Sequence, residues 1–369
     1  MRTCARASSA IFGSDVRLLS TQGGSSILAG MRAVGLYRYL PSDDPEALLD
    51  LNLDTPLPGD RDLLVSVHAV SVNPVDTKVR RPRPHVETRP RILGWDVAGV
   101  VEAVGPNATL FRPGDEVYYA GSITRPGGNS EYHLVDERIV GPKPRTLDFP
   151  AAAALPLTAI TAWEGLFERL GIVRDGRDRG KRILIIGGAG GVGSIAIQLA
   201  RRLVGLEVIA TASRETSATW CRELGADHII DHFGDLPAQL AATGHPLVDY
   251  IFCLQDTDRY WTAMAQMIAP QGKICSIVET RGPVDIGLLQ RKSATFAYEL
   301  MFTRAIFETP DMIEQHRLLS AVAELIDVGA LRATASTVLR PIDAQNLRRA
   351  HAMLEGGRTV GKVVLADWI

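Results

Sequence analysis

The segment Lys181–Val204 constrains what this chain can fold into more than any other stretch. Its loop reads Gly188-Ala189-Gly190-Gly191-Val192-Gly193, a G-x-G-x-x-G directly after the apolar run Ile183-Leu184-Ile185-Ile186. Glycines in this order are a weak signal alone; placed between a strand and a helix they mark a dinucleotide site. Gly188 is expected to make the tight turn, Gly190 to leave the backbone open to a pyrophosphate, and Gly193 to let the helix lie close to the strand. Around Gly191 and Val192 the helix start offers free N–H groups and the positive end of its dipole to phosphate.

The next strand bears on which dinucleotide. An NAD site places Asp or Glu about 20 residues beyond the glycines, where it bonds the ribose 2′-OH. Here that strand ends Ala210-Thr211-Ala212-Ser213-Arg214, with no acid. A hydroxyl followed by a planar guanidinium suits a 2′-phosphate. Ser213 and Arg214 therefore predict NADPH, and Glu215 is read as the acidic first turn of the following helix.

Around this loop, strands and helices alternate. Strands are predicted at Lys181–Gly187, Glu207–Thr211, Asp227–Ile230, Leu247–Cys253 and Lys273–Val278, with helices at Gly191–Val204, Glu215–Leu224 and Arg259–Ile268. Such alternation predicts a doubly wound parallel sheet, and non-alternating apolar runs are what strands covered on both faces require. Residues 31–150 instead interleave short apolar runs with Gly, Pro and Asp, which predicts an all-β unit. Residues 80–91, rich in Pro and Arg, are read as an exposed loop. Beyond residue 300 a helix is predicted over Met312–Val328, followed by strands at Ser336–Leu339 and Gly361–Leu365, which could return to the first unit. The fold class is α/β, with 156–299 as the coenzyme domain and 31–155 plus 300–369 as the other. Residues 1–30, Arg- and Ser-rich, are read as a disordered extension, with a transit peptide as the other possibility.

Composition excludes several functions. The 369 residues carry 40 Lys and Arg against 42 Asp and Glu, so neither a nucleic-acid nor a membrane-surface partner is expected. No apolar run reaches about 18 residues, which argues against a membrane span. The four cysteines form no C-x-x-C pair and fit a reducing compartment, so a cytoplasmic location is expected.

Val72-Asn73-Pro74-Val75-Asp76, Gly94-Trp95-Asp96-Val97-Ala98-Gly99, Phe111–Val117, the glycine loop and Gly361-Lys362-Val363-Val364-Leu365 together resemble the medium-chain dehydrogenase/reductase superfamily, in its quinone-oxidoreductase branch. The resemblance covers about residues 31–369. It implies a GroES-like β domain built from both chain ends around a Rossmann domain, and a homodimer formed through the strand near Ser293–Glu299. It also implies that Thr158, in Leu155-Pro156-Leu157-Thr158, lies near the nicotinamide. Zinc members of the superfamily have Cys at the place of Asn73, His at that of Trp95 and Glu at that of Asp96. Neither an amide nor an indole replaces a thiolate or imidazole on zinc, and residues 118–133 lack cysteine for a structural zinc lobe. No metal site is expected.

Without a Lewis acid the easier chemistry is hydride transfer from NADPH to a quinone or activated enone, with fixed donors steadying the developing oxyanion. Asn73 and Tyr119 are the candidate donors, and Asp76 is read as a turn-holding residue. A zinc-dependent alcohol dehydrogenase and a non-catalytic NADPH-binding sensor are the alternatives.

Overall fold

The computed structural model describes residues 30–368; the expectations for residues 1–29 lie outside the described residues. Six strands, Arg182–Ile186, Glu207–Thr211, His228–Ile230, Val248–Cys253, Ile268–Ser276 and Thr295–Tyr298, form one parallel sheet. Counted in chain order they lie 3-2-1-4-5-6, the Rossmann order. The first strand shows why its run does not alternate. Ile183 and Ile185 enter one core with Ile195, Ile197 and Cys221, while Leu184 and Ile186 enter the core on the opposite face with Leu240, Trp261 and Met264.

A seven-stranded sheet builds the other lobe. Asp62–Val72 is its spine, pairing antiparallel with Val97–Val104, with Tyr132–Asp136 and with the final strand Lys362–Ala366. Val363 faces Val72 in this register, so the chain end returns to the β unit as its closing motif predicts. A three-stranded sheet, Leu49–Leu53, Met31–Tyr39 and Arg83–Ile92, flanks it. Residues 80–91 thus correct the sequence reading: the segment is exposed, but most of it is an edge strand. Pro84 and Pro90 are tolerated there because an edge strand needs only some of its N–H groups, and the pairing to Met31–Tyr39 shifts register twice.

Helix Pro156–Trp163 and the wider π turns Glu164–Arg169 sit where the lobes meet. A buried charge cluster fixes their end. Arg304 donates to Glu164 at 2.6 Å and to Glu168 at 3.0 Å, and Arg169 Nε donates to Glu299 Oε2 at 2.7 Å. Glu299 Oε1 is buried with no other protein donor facing it. Burial, with the Glu164 carboxyl alongside, pushes the Glu299 carboxyl well up, which favours one proton held by the pair.

A raised carboxyl pKa makes the folded state bind more protons than the unfolded state. The stabilisation is complete below pH 4.5 and is lost as pH rises through the raised value. Glu299→Gln keeps an N–H donor toward Glu164 and an acceptor for Arg169 but cannot titrate. Thermal melts from pH 5 to 9 should therefore show wild type losing stability against this variant as pH rises. Parallel curves would contradict the shared proton.

Candidate active site

The glycine loop divides its work among its residues differently from the sequence reading. Gly187, at φ 93°, makes the left-handed turn assigned above to Gly188, and its N–H donates to Thr211 Oγ1 at 2.9 Å. Gly188 is a packing glycine: a Cβ there would lie 2.8 Å from Ala210 Cβ and 3.1 Å from Cys221 Sγ. Gly193 behaves as expected, since its Cβ would lie 2.5 Å from the carbonyl oxygens of Gly187 and Gly188. Gly190 is the informative one. Its Cβ would meet only Gly187 O, at 3.6 Å, so protein packing does not demand glycine there. An open backbone at the start of helix Gly191–Gln198 is what a phosphate group approaches closely. The loop fits a dinucleotide.

At the end of the second strand, Ser213 is half-buried and Arg214 exposed. The Arg214 backbone caps helix Glu215–Leu224 through Ser217 Oγ, at 3.2 Å. Glu215 Oε1 accepts from Arg222 Nη1 at 2.9 Å, so the acid nearest Arg214 is engaged elsewhere.

Against the glycine loop lies a node that sequence reasoning missed. Lys362, on the closing strand, is buried and points its ammonium at three acceptors: Asp96 Oδ2 at 3.0 Å, Val72 O at 3.0 Å and Asn73 Oδ1. Asn73 Nδ2 donates to the same Asp96 oxygen at 2.8 Å, while Asp96 Oδ1 accepts from Leu157 N at 2.7 Å, at the start of helix Pro156–Trp163. The Lys362 stem lies over the glycine loop, where a Cβ on Gly191 would sit 2.8 Å from both Lys362 Cδ and Thr158 Cγ2. The structure therefore brings Asn73, Thr158 and Gly191 together around Lys362. A signal existed: one charged residue in the apolar run Lys362-Val363-Val364-Leu365 demands a buried partner.

Asn73 is 1% exposed. One amide N–H goes to Asp96, and the other has only long contacts, 3.4 Å to Trp95 O and 3.5 Å to Ser71 O. Asp76 holds the turn as expected, accepting from Asn73 N at 2.7 Å and Gly94 N at 3.0 Å. Burial pushes its carboxyl up to about 7, against the pull of those amides and of Lys362. The Thr158 hydroxyl donates to Leu155 O at 2.9 Å, so Thr158 meets the loop with its methyl group.

Tyr119 corrects the sequence reading. His133 Nε2 faces the Pro126 carbonyl at 3.0 Å, and a carbonyl only accepts, so Nε2 carries the hydrogen. Nδ1 then accepts the Tyr119 O–H at 3.0 Å. Both rings are buried, and burial holds His133 down at about 4. The phenolic proton is engaged inside the β unit, which leaves Tyr119 no proton for an oxyanion.

Residues 59–145 match the alcohol dehydrogenase GroES-like domain, and residues 224–365 match the zinc-binding dehydrogenase family. A Staphylococcus aureus zinc-type alcohol dehydrogenase-like protein is 46% identical over 336 residues, 91% of this chain and 99% of that protein. The chain belongs to the medium-chain dehydrogenase/reductase superfamily, in its quinone-oxidoreductase branch. A tomato (Solanum lycopersicum) 2-methylene-furan-3-one reductase is 39% identical over 201 residues, 51% of this chain and 50% of that protein. The solved quinone oxidoreductase of Coxiella burnetii superposes with a TM-score of 0.76 at 27% identity, covering 92% of this chain and all of that one.

As a medium-chain dehydrogenase/reductase this chain is an oxidoreductase, and its loop fits the superfamily's nicotinamide coenzyme. Its residues do not fit the zinc that some family names carry. Asn73 Oδ1 is turned to an ammonium, Trp95 Nε1 donates to Ser122 O at 3.2 Å, and both Asp96 oxygens are engaged. A cation placed among these groups would meet the Lys362 charge.

The loop geometry separates binding from folding. Gly190→Ala should leave the melting temperature near that of wild type while nicotinamide coenzyme affinity, read by fluorescence titration, falls about tenfold or more. Gly193→Ala should cost about 1–3 kcal/mol of stability through overpacking. A larger stability loss from Gly190→Ala than from Gly193→Ala would contradict this division.

Proposed function

We propose that the protein transfers hydride from NADPH to a quinone or activated enone without zinc. The observation that carries this reading is the pairing of an open glycine loop with Lys362, a buried ammonium set among the residues at the family's metal-ligand positions. Arg214, standing where an NAD site has an acid, supports NADPH. The quinone oxidoreductase and furanone reductase relatives support the acceptor class.

Bound NADPH supplies the hydride. The protein's residues hold the coenzyme, orient the acceptor and lower the cost of the charge that develops on the acceptor oxygen. Gly190 and the helix start after it receive the pyrophosphate. Asn73 is the proposed oxyanion donor through the N–H that Asp96 does not take. Lys362 and Asp96 position it, because the ammonium fixes the amide oxygen and the carboxylate fixes the nitrogen. Trp95, edge-on to Phe302 with centroids 6.2 Å apart, makes this side of the site apolar, which suits a flat conjugated acceptor.

The acting form is proposed to be a homodimer in the cytoplasm. The outer strand Thr295–Tyr298 pairs on one side only, and Ile286, Leu288, Tyr298 and Leu300 near it are exposed. An uncovered apolar edge suits a second copy of the chain. Cys221, Cys253 and Cys275 are buried free thiols, as a reducing compartment permits. No helix among the described residues is long and apolar enough to cross a membrane.

The test is NADPH oxidation against a panel of benzoquinones, naphthoquinones and enones, with and without a zinc chelator. Turnover should persist under chelation. Asn73→Ala should lower kcat by about 10²–10³ while NADPH affinity stays nearly constant. Tyr119→Phe should change kcat by less than about threefold, below 1 kcal/mol of barrier. Absence of turnover with every acceptor, or activity lost with zinc, would overturn the reading.

A further inference from the structure

Trp95 is held through its neighbours on both sides. Gly94 N donates to Asp76 Oδ1 at 3.0 Å, and the Asp96 carboxylate is engaged by Lys362 and by Leu157 N. The side chain is held as well. It is 1% exposed, its Nε1 donates to Ser122 O at 3.2 Å, and its ring meets Phe302 edge-on with the planes 76° apart. A buried indole N–H needs an acceptor, so turning the ring away from Ser122 is costly.

The two ends of this residue meet different surroundings. Its carbonyl oxygen lies 3.4 Å from Asn73 Nδ2, the amide proposed to meet the acceptor oxygen. Its indole nitrogen reaches Ser122, which lines a cavity of about 110 Å³. Val135, Ile139, Ala305 and Met312 form the apolar side of that cavity. Ala305 belongs to the short helix Thr303–Phe307, which directly follows Phe302. An apolar cavity of about 150 Å³ is large enough to take a benzene ring. This one is too small for a ring of its own, but joined to the space the Trp95 indole fills it would exceed that size.

We propose that Trp95 sets the size of the acceptor. Its ring, braced by Phe302, partitions the place beside the Asn73 amide from the cavity beyond. The wild type therefore favours quinones and enones whose carbons beside the carbonyl are unsubstituted over those with a methyl group on each side. This rests on the function proposed above.

The experiment is steady-state NADPH oxidation by the full chain with 1,4-benzoquinone and with its 2,3,5,6-tetramethyl derivative, which carries a methyl on both sides of each carbonyl. The readout is the ratio of kcat/KM for the two acceptors. Comparing that ratio between variants cancels their different intrinsic reactivity. Trp95→Ala should move the ratio toward the tetramethyl quinone by about tenfold or more, the low end of what a methylene-sized difference is worth in an apolar pocket. Trp95→Leu should move it the same way by less, and it carries the test if a thermal melt shows that Trp95→Ala does not fold. Adding Ala305→Leu to the folded Trp95 variant refills the cavity and should take back most of the gain. If the Trp95 variants lower both acceptors alike, or if Ala305→Leu leaves the gain intact, the partition is wrong and the reductase reading stands. If the wild type turns over no acceptor in the wider panel, the reductase reading falls and the partition with it.

Discussion

One buried ammonium ties the molecule together. Lys362 comes from the last strand, its acceptors come from Val72, Asn73 and Asp96, and its stem packs on Gly191. Removing an ammonium from water costs several kcal/mol, and only close, well-bonded acceptors offset that. The geometry meets the condition with one carboxylate, one amide oxygen and one carbonyl. Asp96 in turn anchors helix Pro156–Trp163 through Leu157 N, so the charge pair also positions the helix that carries Thr158 to the glycine loop. Asp76 also feels this cation, yet burial outweighs the pull of Lys362 and of two amide donors and pushes its carboxyl up to about 7.

In the proposed reaction the same interaction limits what Lys362 can do. A metal ion polarises an oxygen by taking its lone pair directly, whereas a buried ammonium with all three hydrogens engaged offers no open position. Lys362 can orient and neutralise, but it cannot replace a Lewis acid. Acceptors whose negative charge spreads over a conjugated system need less help at the oxygen than a simple ketone. The Asn73 amide and an apolar wall of Trp95 and Phe302 fit that lower demand.

How far the sequence could be read follows from the range of each interaction. The parallel sheet was legible because a strand buried on both faces leaves a continuous apolar run, as Ile183–Ile186 does. The coenzyme loop was legible because its glycines act within six residues. Which glycine turns and which packs was not, since φ at Gly187 and the approach of Ala210 to Gly188 belong to the folded chain. Tyr119 was misread because alternation says which face a strand residue takes, not that His133 waits to accept its proton. The edge strand at 83–92 was hidden by Arg and Pro, which a strand tolerates only when one side faces solvent. Lys362 and Asp96 lie 266 residues apart. The sequence shows each as an odd charge in an apolar run but does not show that they are partners.

The central claim is that this ion pair holds the site together, and a double-mutant cycle on Lys362→Met and Asp96→Asn tests it most directly. Each single change should destabilise the protein by about 3–5 kcal/mol in denaturant unfolding, because each leaves a buried group without its partner. The double variant should be more stable than the sum of the two losses predicts, with a coupling energy of about 2 kcal/mol or more. Losses that add to within about 0.5 kcal/mol would show that the two groups do not depend on each other, and would contradict the account.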